Sequence, residues 1–261
     1  MGDTILVERT GGVATVTFNR PQKKNAITSG LLDELDAALD AAVRDHAVRV
    51  LVLTGAGGDF SSGADLTDRG GPGGGSRTPF LLHMRRLGDA ILRIHRFSKP
   101  TIAAVDGVAV GMGMNMALAC DLVIATDRAR FCEIFPRRGM AIDGGGSWIL
   151  PRLVGLHKAK ELAFFGDMVP ATDAMAMGLV NRVVPVADLP AAVGEWAGRL
   201  AAGPTVALSL TKGMLNNAMT VSVDQALEDE ARSQHITFST EDLKEALAAF
   251  VDKREPSFTG R

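Results

Sequence analysis

The stretch AVDGVAVGMGMNMALACDLVIAT, residues 104 to 126, runs from an apolar, β-branched segment into glycines, then into small and unbranched residues, then into a second apolar segment. That order is strand, turn, helix, strand. Residues 101–105 and 122–125 are short and continuously apolar, the pattern of strands buried on both faces of a parallel sheet. The helix between them opens among Gly111 and Gly113, which leaves its first amides uncovered at the positive end of its dipole. An anionic oxygen suits such a place. The dinucleotide fingerprint does not fit, because a third glycine would be needed at 116, where Met116 stands. The competing reading of Gly113 and Ala117 is close helix packing on small side chains.

A second strand end has the same character. Residues 48–54 form another buried apolar run and lead directly into GAGGDFSSGADL, residues 55 to 66, with glycines at 55, 57, 58 and 63. These leave backbone amides bare. A phosphate loop would need Lys-Ser/Thr after its last glycine, and Ala64-Asp65 stands there instead. No Gly-x-Ser-x-Gly elbow fits Ser61 or Ser62. Taken alone this is a turn, but close helix packing does not explain why two separate strand ends both finish in bare amides.

Further out, residues 4–9 and 13–19 flank Gly11-Gly12 as a hairpin. Ile27, Leu31, Leu35, Leu39 and Val43 recur every four residues opposite Asp33, Asp36, Asp40 and Arg44, which predicts an amphipathic helix capped by Thr28. DRGGPGGGSRT, residues 68 to 78, predicts a loop, mobile from Gly70 to Arg77. From Pro190 onward the pattern is helical, with a capping box at Ser222 to Gln225, a further start at Thr240, and Leu243, Leu247 and Phe250 in one apolar stripe. The division expected is an α/β core over residues 1–189 and a helical segment over residues 190–261.

With 261 residues and 46% hydrophobic content, the chain can bury a large core. A net charge of −2 with mixed signs argues against nucleic acid or an anionic membrane as partner. Cys120 and Cys132 sit in apolar surroundings and read as reduced, buried thiols without metal-ligand spacing. No signal-peptide layout opens the sequence and no run approaches the ~20 apolar residues of a membrane span, so a cytoplasmic protein is expected.

FSSGADL and AVDGVAVGMGMNMALACDLVIA, in that order and followed by DGGGSWILPRLVG (143 to 155), resemble the crotonase family, the enoyl-CoA hydratase/isomerase superfamily. NRPQKKNAI near the start, ATDAMAMGLVNRVVP (171 to 185) and FVDKREPSF at the end extend the likeness over essentially the whole chain. The resemblance implies a spiral of ββα repeats with a C-terminal helical trimerisation segment, and a homotrimer or a hexamer of two trimers. It implies an acyl-CoA thioester substrate whose carbonyl oxygen becomes enolate-like, with coenzyme A arriving as part of the substrate and no metal or redox cofactor. By the same match the oxyanion donors are the backbone amides of Ala64 and Met112, so a methionine at 112 need not disable the role. Lys23, Lys24 and Ala26 fall where the family holds the nucleotide end of CoA, Asp65, Leu66 and Thr67 near its pantetheine arm, and Lys253 where a neighbouring subunit's CoA phosphates would lie. Met84, Leu87 and Ile91 are expected to line or shield the acyl pocket.

The departures bear on the reaction. Family hydratases handle water with two glutamates, and the matching positions hold Asn115 and Phe135, which here would only line the substrate site. Asn cannot exchange a proton and Phe cannot position water. Glu133 lies two residues before the second place, and on an extended segment that is a displacement of about 7 Å, so it is read as outside the catalytic set. Asp143, ahead of three glycines, reads at first as a helix N-cap. By resemblance its place is that of the aspartate serving as acid/base in isomerases of the superfamily and as nucleophile in its aromatic dehalogenases. Desolvation by Met140 and Ile142 would raise its pKa toward proton transfer. The reading is an isomerase acting through Asp143, with an enoyl-CoA hydratase or a non-catalytic acyl-CoA-binding relative as alternatives.

Overall fold

The computed structural model describes residues 3–68 and 80–261. The loop anticipated between Asp68 and Thr78, with its mobility from Gly70 to Arg77, lies outside the described residues except for Asp68, whose carboxylate accepts from Ser29 N at 2.8 Å.

The chain opens with a hairpin of β1 (Ile5–Thr10) and β2 (Val13–Phe18), turning at Gly11-Gly12. Helix α1 (Ser29–Arg44) follows, with Thr28 Oγ1 accepting from Leu31 N at 3.2 Å as its cap. Val43, anticipated on the apolar face, is exposed. A strict four-residue spacing drifts by about 40° per step from a 3.6-residue turn, and Leu32, Ala38 and Ala42 take the buried side instead. Then come β3 (Val50–Gly55), α2 (Phe80–His95), β4 (Thr101–Val105), β5 (Val108–Val110), α3 (Met112–Leu118), β6 (Leu122–Thr126) and β7 (Arg130–Cys132). The second half holds α4 (Gly146–Phe165), β8 (Val169–Pro170), α5 (Ala171–Ala176), β9 (Arg182–Val184), α6 (Leu189–Ala202), α7 (Thr205–Asn217), α8 (Val223–Thr237) and α9 (Glu241–Asp252).

Six strands form one sheet in the order β1-β2-β3-β4-β6-β9, parallel except for the opening hairpin. A smaller sheet, β5-β7-β8, stands off it. Strands β3, β4 and β6 are buried almost end to end, as their unbroken apolar runs require. Helices α1, α2 and α3 cover one face of the large sheet in the main core. On the other face, Ala192, Ala197 and Ala201 of α6 pack on Val50, Val52, Ile102 and Ile124. Small residues on α6 let that helix lie close to the sheet. The anticipated division after residue 189 falls at the start of α6, and α6 forms a layer of the core.

Helices α7, α8 and α9 extend beyond this body. Ser222 and Thr240 cap α8 and α9. Gln225 turns its side chain to Asp229 at 2.8 Å rather than back to Ser222, so the capping box is only half made. On α9 the docked residues are Asp242 and Ala249, while Leu247 and Phe250 stand 59% and 84% exposed. Two of the three stripe residues therefore do not pack on their own chain, while Leu243 is half-buried.

Candidate active site

Two backbone segments from different strand ends meet at the centre of the molecule. Ser61 pairs in parallel with Ala109, its N–H donating to Val108 O and its carbonyl accepting from Val110 N, both at 2.9 Å. Beyond this bridge Gly63, next to Ala64, lies against the turn that leads into Met112. Gly63 sits at φ +91°, and a Cβ there would fall 2.7 Å from Val110 O and 3.7 Å from Met112 N. Glycine is the residue that meets both demands. At Gly113 a Cβ would lie 2.6 Å from Ser61 O, so the packing reading of Gly113 holds as well. It serves the same end, because it draws the two turns together.

Met112 is the first residue of α3, with Gly111 before it, so its N–H has no intrahelical partner. On either side of Ala64, Gly63 N donates to Ser61 Oγ at 3.2 Å and Asp65 N donates to Ile27 O at 2.8 Å. The Ala64 N–H donates to no described residue. Two adjacent free amides can hold one oxygen that gains negative charge, and losing such a donor typically costs about 2.7–4 kcal/mol of transition-state stabilisation. The Met112 side chain is buried, with its sulfur near the turn at Gly144.

Asp143 lies on that turn. It is not the helix cap: Gly145 caps α4, no side chain makes the capping bond, and Oδ1 of Asp143 is buried without a partner. The backbone supplies the closure instead, with Gly146 N donating to Asp143 O at 3.1 Å and Asn115 Nδ2 to the same oxygen at 2.9 Å. Burial raises the Asp143 carboxyl from 3.8 to about 6. A carboxylate stripped of water and hydrogen bonds is a stronger base than one in solvent.

At Glu133 the backbone differs from the extended segment assumed in the sequence. The segment after β7 does not stay extended: Ile134 is helical, at φ −63° and ψ −13°, and a short 3-10 turn begins at Phe135. The straight-strand displacement therefore does not apply. Glu133 is 1% exposed, its Oε2 lies 3.5 Å from Asn115 Nδ2, and its Oε1 is buried without a partner. Burial pushes its carboxyl up to about 8, with the Asn115 contact opposing and the nearby Asp143 charge reinforcing the rise. Asn115 thus links the Glu133 carboxyl to the main chain at Asp143, and its own Oδ1 is also without a partner. Phe135 is buried with its ring against the Gly111 turn, away from any polar role.

The residues anticipated near CoA fall into two groups. Lys23 and Lys24 are exposed on the turn before α1, and Lys24 Nζ lies 3.7 Å from Asp59. Ala26 is buried, and its carbonyl accepts from Arg20. The Asp65 carboxylate is already engaged, by Thr67 N and Oγ1 at 3.0 and 2.7 Å and by Arg20 at 3.1 Å. It shapes the turn and leaves Leu66 exposed. Lys253, exposed and at φ +55°, ends α9.

Asn25 was missed by sequence reasoning. Fully buried at φ +55°, it accepts from Arg20 N at 2.8 Å and donates to Ala56 O and Asp59 O at 2.9 and 2.6 Å. Its carbonyl takes Ser61 Oγ at 2.9 Å. It ties the turn carrying Lys23 and Lys24 to the turn carrying Ala64. The one signal available was an asparagine, the side chain that best tolerates left-handed backbone, amid turn residues.

Behind the Asp143 turn, a cavity of about 560 Å³ opens between α2, α4 and α7. Ile91, His95, Gly145, Trp148, Ile149 and Lys212 line it. Leu87 and Ile91 are buried on the face of α2 that meets the core, with Met84 partly buried beside them. Burial, with the Lys212 charge, lowers the His95 pKa and keeps that ring neutral. Lys212 is itself paired with Asp121 at 2.8 Å.

Comparisons with known proteins bear on the family and the fold. The sequence matches the family described as Enoyl-CoA hydratase/isomerase over residues 8–261. It is 36% identical over 262 residues to the 1,2-epoxyphenylacetyl-CoA isomerase of Escherichia coli (strain K12), covering 100% of each chain. It is also 36% identical over 258 residues to the short-chain-enoyl-CoA hydratase of Clostridium acetobutylicum, covering 97% of this chain and 96% of that one. Among solved structures, the enoyl-CoA hydratase from Bacillus anthracis superposes with a TM-score of 0.93 at 32% identity, covering 99% of this chain and 100% of that one.

Proposed function

Because this chain belongs to the enoyl-CoA hydratase/isomerase family and has its crotonase-type α/β fold, an acyl-CoA thioester is its substrate, and we propose that it isomerises an enoyl-CoA-type thioester through Asp143. The thioester oxygen would rest on the amides of Ala64 and Met112, where charge built up on enolate formation is stabilised. Asp143 would take a proton from an acyl carbon, and a proton returned to another carbon would complete the shift with no net water consumed. The observation that carries this reading is the Asp143 carboxyl itself: half-buried with Oδ1 unpartnered, raised to about 6, and not used as a cap. The acyl chain would extend past Gly145 into the cavity lined by Ile91 and Ile149. Lys23, Lys24 and Ala26 fit the nucleotide end of CoA, Leu66 and Thr67 its pantetheine arm, and Lys253 the CoA phosphates of a neighbouring subunit.

A specific observation also favours hydration. Glu133 reaches Asn115, so two carboxylates, rather than one, stand near the reacting centre. A panel of enoyl-, dienoyl- and aryl-CoA esters assayed by product mass separates the two reactions, since hydration adds one water and isomerisation adds nothing. Products of unchanged mass with a moved double bond are expected; hydrated products alone would replace this reading by the second.

The assembly proposed is a homotrimer or a pair of trimers. Leu215, Met219, Val223, Leu227, Leu247 and Phe250 leave α7, α8 and α9 with more exposed apolar surface than a lone appendage carries in water. Sedimentation at micromolar concentration is expected to give a trimer or hexamer, and a monomer would overturn it.

A further inference from the structure

Asp143 accounts for one of the two acids in the site. Glu133 has no structural duty that requires a carboxylate. Its Oε1 bonds to nothing, and its Oε2 has only a long 3.5 Å contact with Asn115. A glutamate 1% exposed without a cation is costly to ionise and is kept neutral by that cost. The groups around it confirm the isolation. From α3 comes Asn115; from the turn before α4 comes Asp143, whose negative charge acts on it. The nearby Arg137 is paired with Asp167 beyond the end of α4, and these two charges act on Cys132. No positive side chain bonds to Glu133 among the described residues.

On the isomerase reading, we propose that Glu133 is a second catalytic residue, the acid that complements Asp143 as base, with Asn115 holding the two in fixed relation. The proton balance is simple. The Asp143 carboxylate takes a proton from one acyl carbon as the electrons move onto the thioester oxygen. The enolate then collapses with its double bond shifted, and the Glu133 carboxyl gives its proton to the carbon at the far end. One C–H bond breaks and one forms. Asp143 is left protonated and Glu133 ionised, and passage of one proton between them, directly or through solvent, resets the site. Two acids whose environments set different protonation states at one pH are suited to this division of labour.

The test uses trans-3-hexenoyl-CoA with the parent enzyme and with Glu133→Gln, which keeps size and neutrality but cannot release a proton. The parent's kcat/KM is expected to be bell-shaped, rising as Asp143 ionises near 6 and falling as Glu133 ionises near 8. Glu133→Gln is expected to lose roughly 10²-fold or more in rate, as for a positioned acid, and to lose the alkaline limb altogether. Substrate deuterated at C2 reports independently: in a single turnover the parent should place no deuterium at C4. Glu133→Met, with a melting temperature beside it, separates lost chemistry from lost packing. A Glu133→Gln enzyme with the parent's rate and pH profile, or deuterium carried from C2 to C4, overturns the role of Glu133 and leaves the Asp143 reading standing. A parent enzyme that moves no double bond removes both.

Discussion

The site has two walls made in different ways. One is backbone: the turns at Gly63-Ala64 and Gly111-Met112, locked together by the Ser61–Ala109 pairing and by glycines with no room for a Cβ. The other is side chain: Asn115, Glu133 and Asp143, with three buried oxygens among them that bond to nothing. The first wall is defined by sheet register, so its function survives changes of side chain. The second is defined by which residues stand there, and on the proposed function it would decide which reaction the common wall serves. A family whose members include isomerases and hydratases is what such a division of labour allows.

The contrast can be broken most forcefully at Asp143. Asp143→Asn retains size and leaves the Asn115 and Gly146 bonds to the main-chain oxygen intact. Turnover is expected to fall by roughly 10²–10⁴-fold, with CoA affinity and melting temperature little changed. On the backbone wall, Gly63→Val should cost roughly 10²–10³-fold in kcat and lower the melting temperature as well. Its Cβ meets Val110 O at 2.7 Å, at a φ of +91° that valine resists, and the Ala64 amide must move. Met112→Leu changes a side chain and not an amide, and should stay within about tenfold of the parent.

Proton linkage sharpens the comparison further. Glu133 has its ordinary pKa of 4.5 in the unfolded chain and about 8 in the fold. Below 4.5 both states hold the proton and Glu133 contributes no pH dependence. Between 4.5 and 8 only the unfolded chain releases it, so each rise in pH favours unfolding, and above 8 the difference levels off. Glu133→Gln should therefore gain stability relative to the parent across that window, up to about 5 kcal/mol at its alkaline end, as read by melting temperature against pH. The smallest effect is expected far from both walls. Thr28→Ala removes the α1 cap and should cost about 1 kcal/mol in denaturant titration, with turnover unchanged.

The two walls also differ in how far the sequence discloses them. The glycine turns were legible because glycine marks close approach, and because buried parallel strands announce themselves as unbroken apolar runs. Position 143 was legible as an acid but ambiguous in role, since a cap and a base share the same local sequence. The absence of a capping bond, visible only in three dimensions, speaks against the cap and leaves the base as the proposed role. The place of Glu133 was not legible because it depends on where β7 ends, and the helical backbone at Ile134 has no strong local signature. Asn25 was overlooked for a similar reason: its hydrogen bonds to Ala56, Asp59 and Ser61 join segments remote in sequence.

The most direct measurement of the central claim needs no knowledge of the natural acyl group. Hexanoyl-CoA has no double bond to move, but its α-hydrogens are removable by a base that faces an oxyanion site. Nuclear magnetic resonance in D₂O follows their replacement by deuterium. With Asp143 as base, the parent enzyme is expected to exchange them and Asp143→Asn to slow the exchange by roughly 10²-fold or more at equal CoA occupancy. Exchange by Asp143→Asn at the parent's rate would contradict the account.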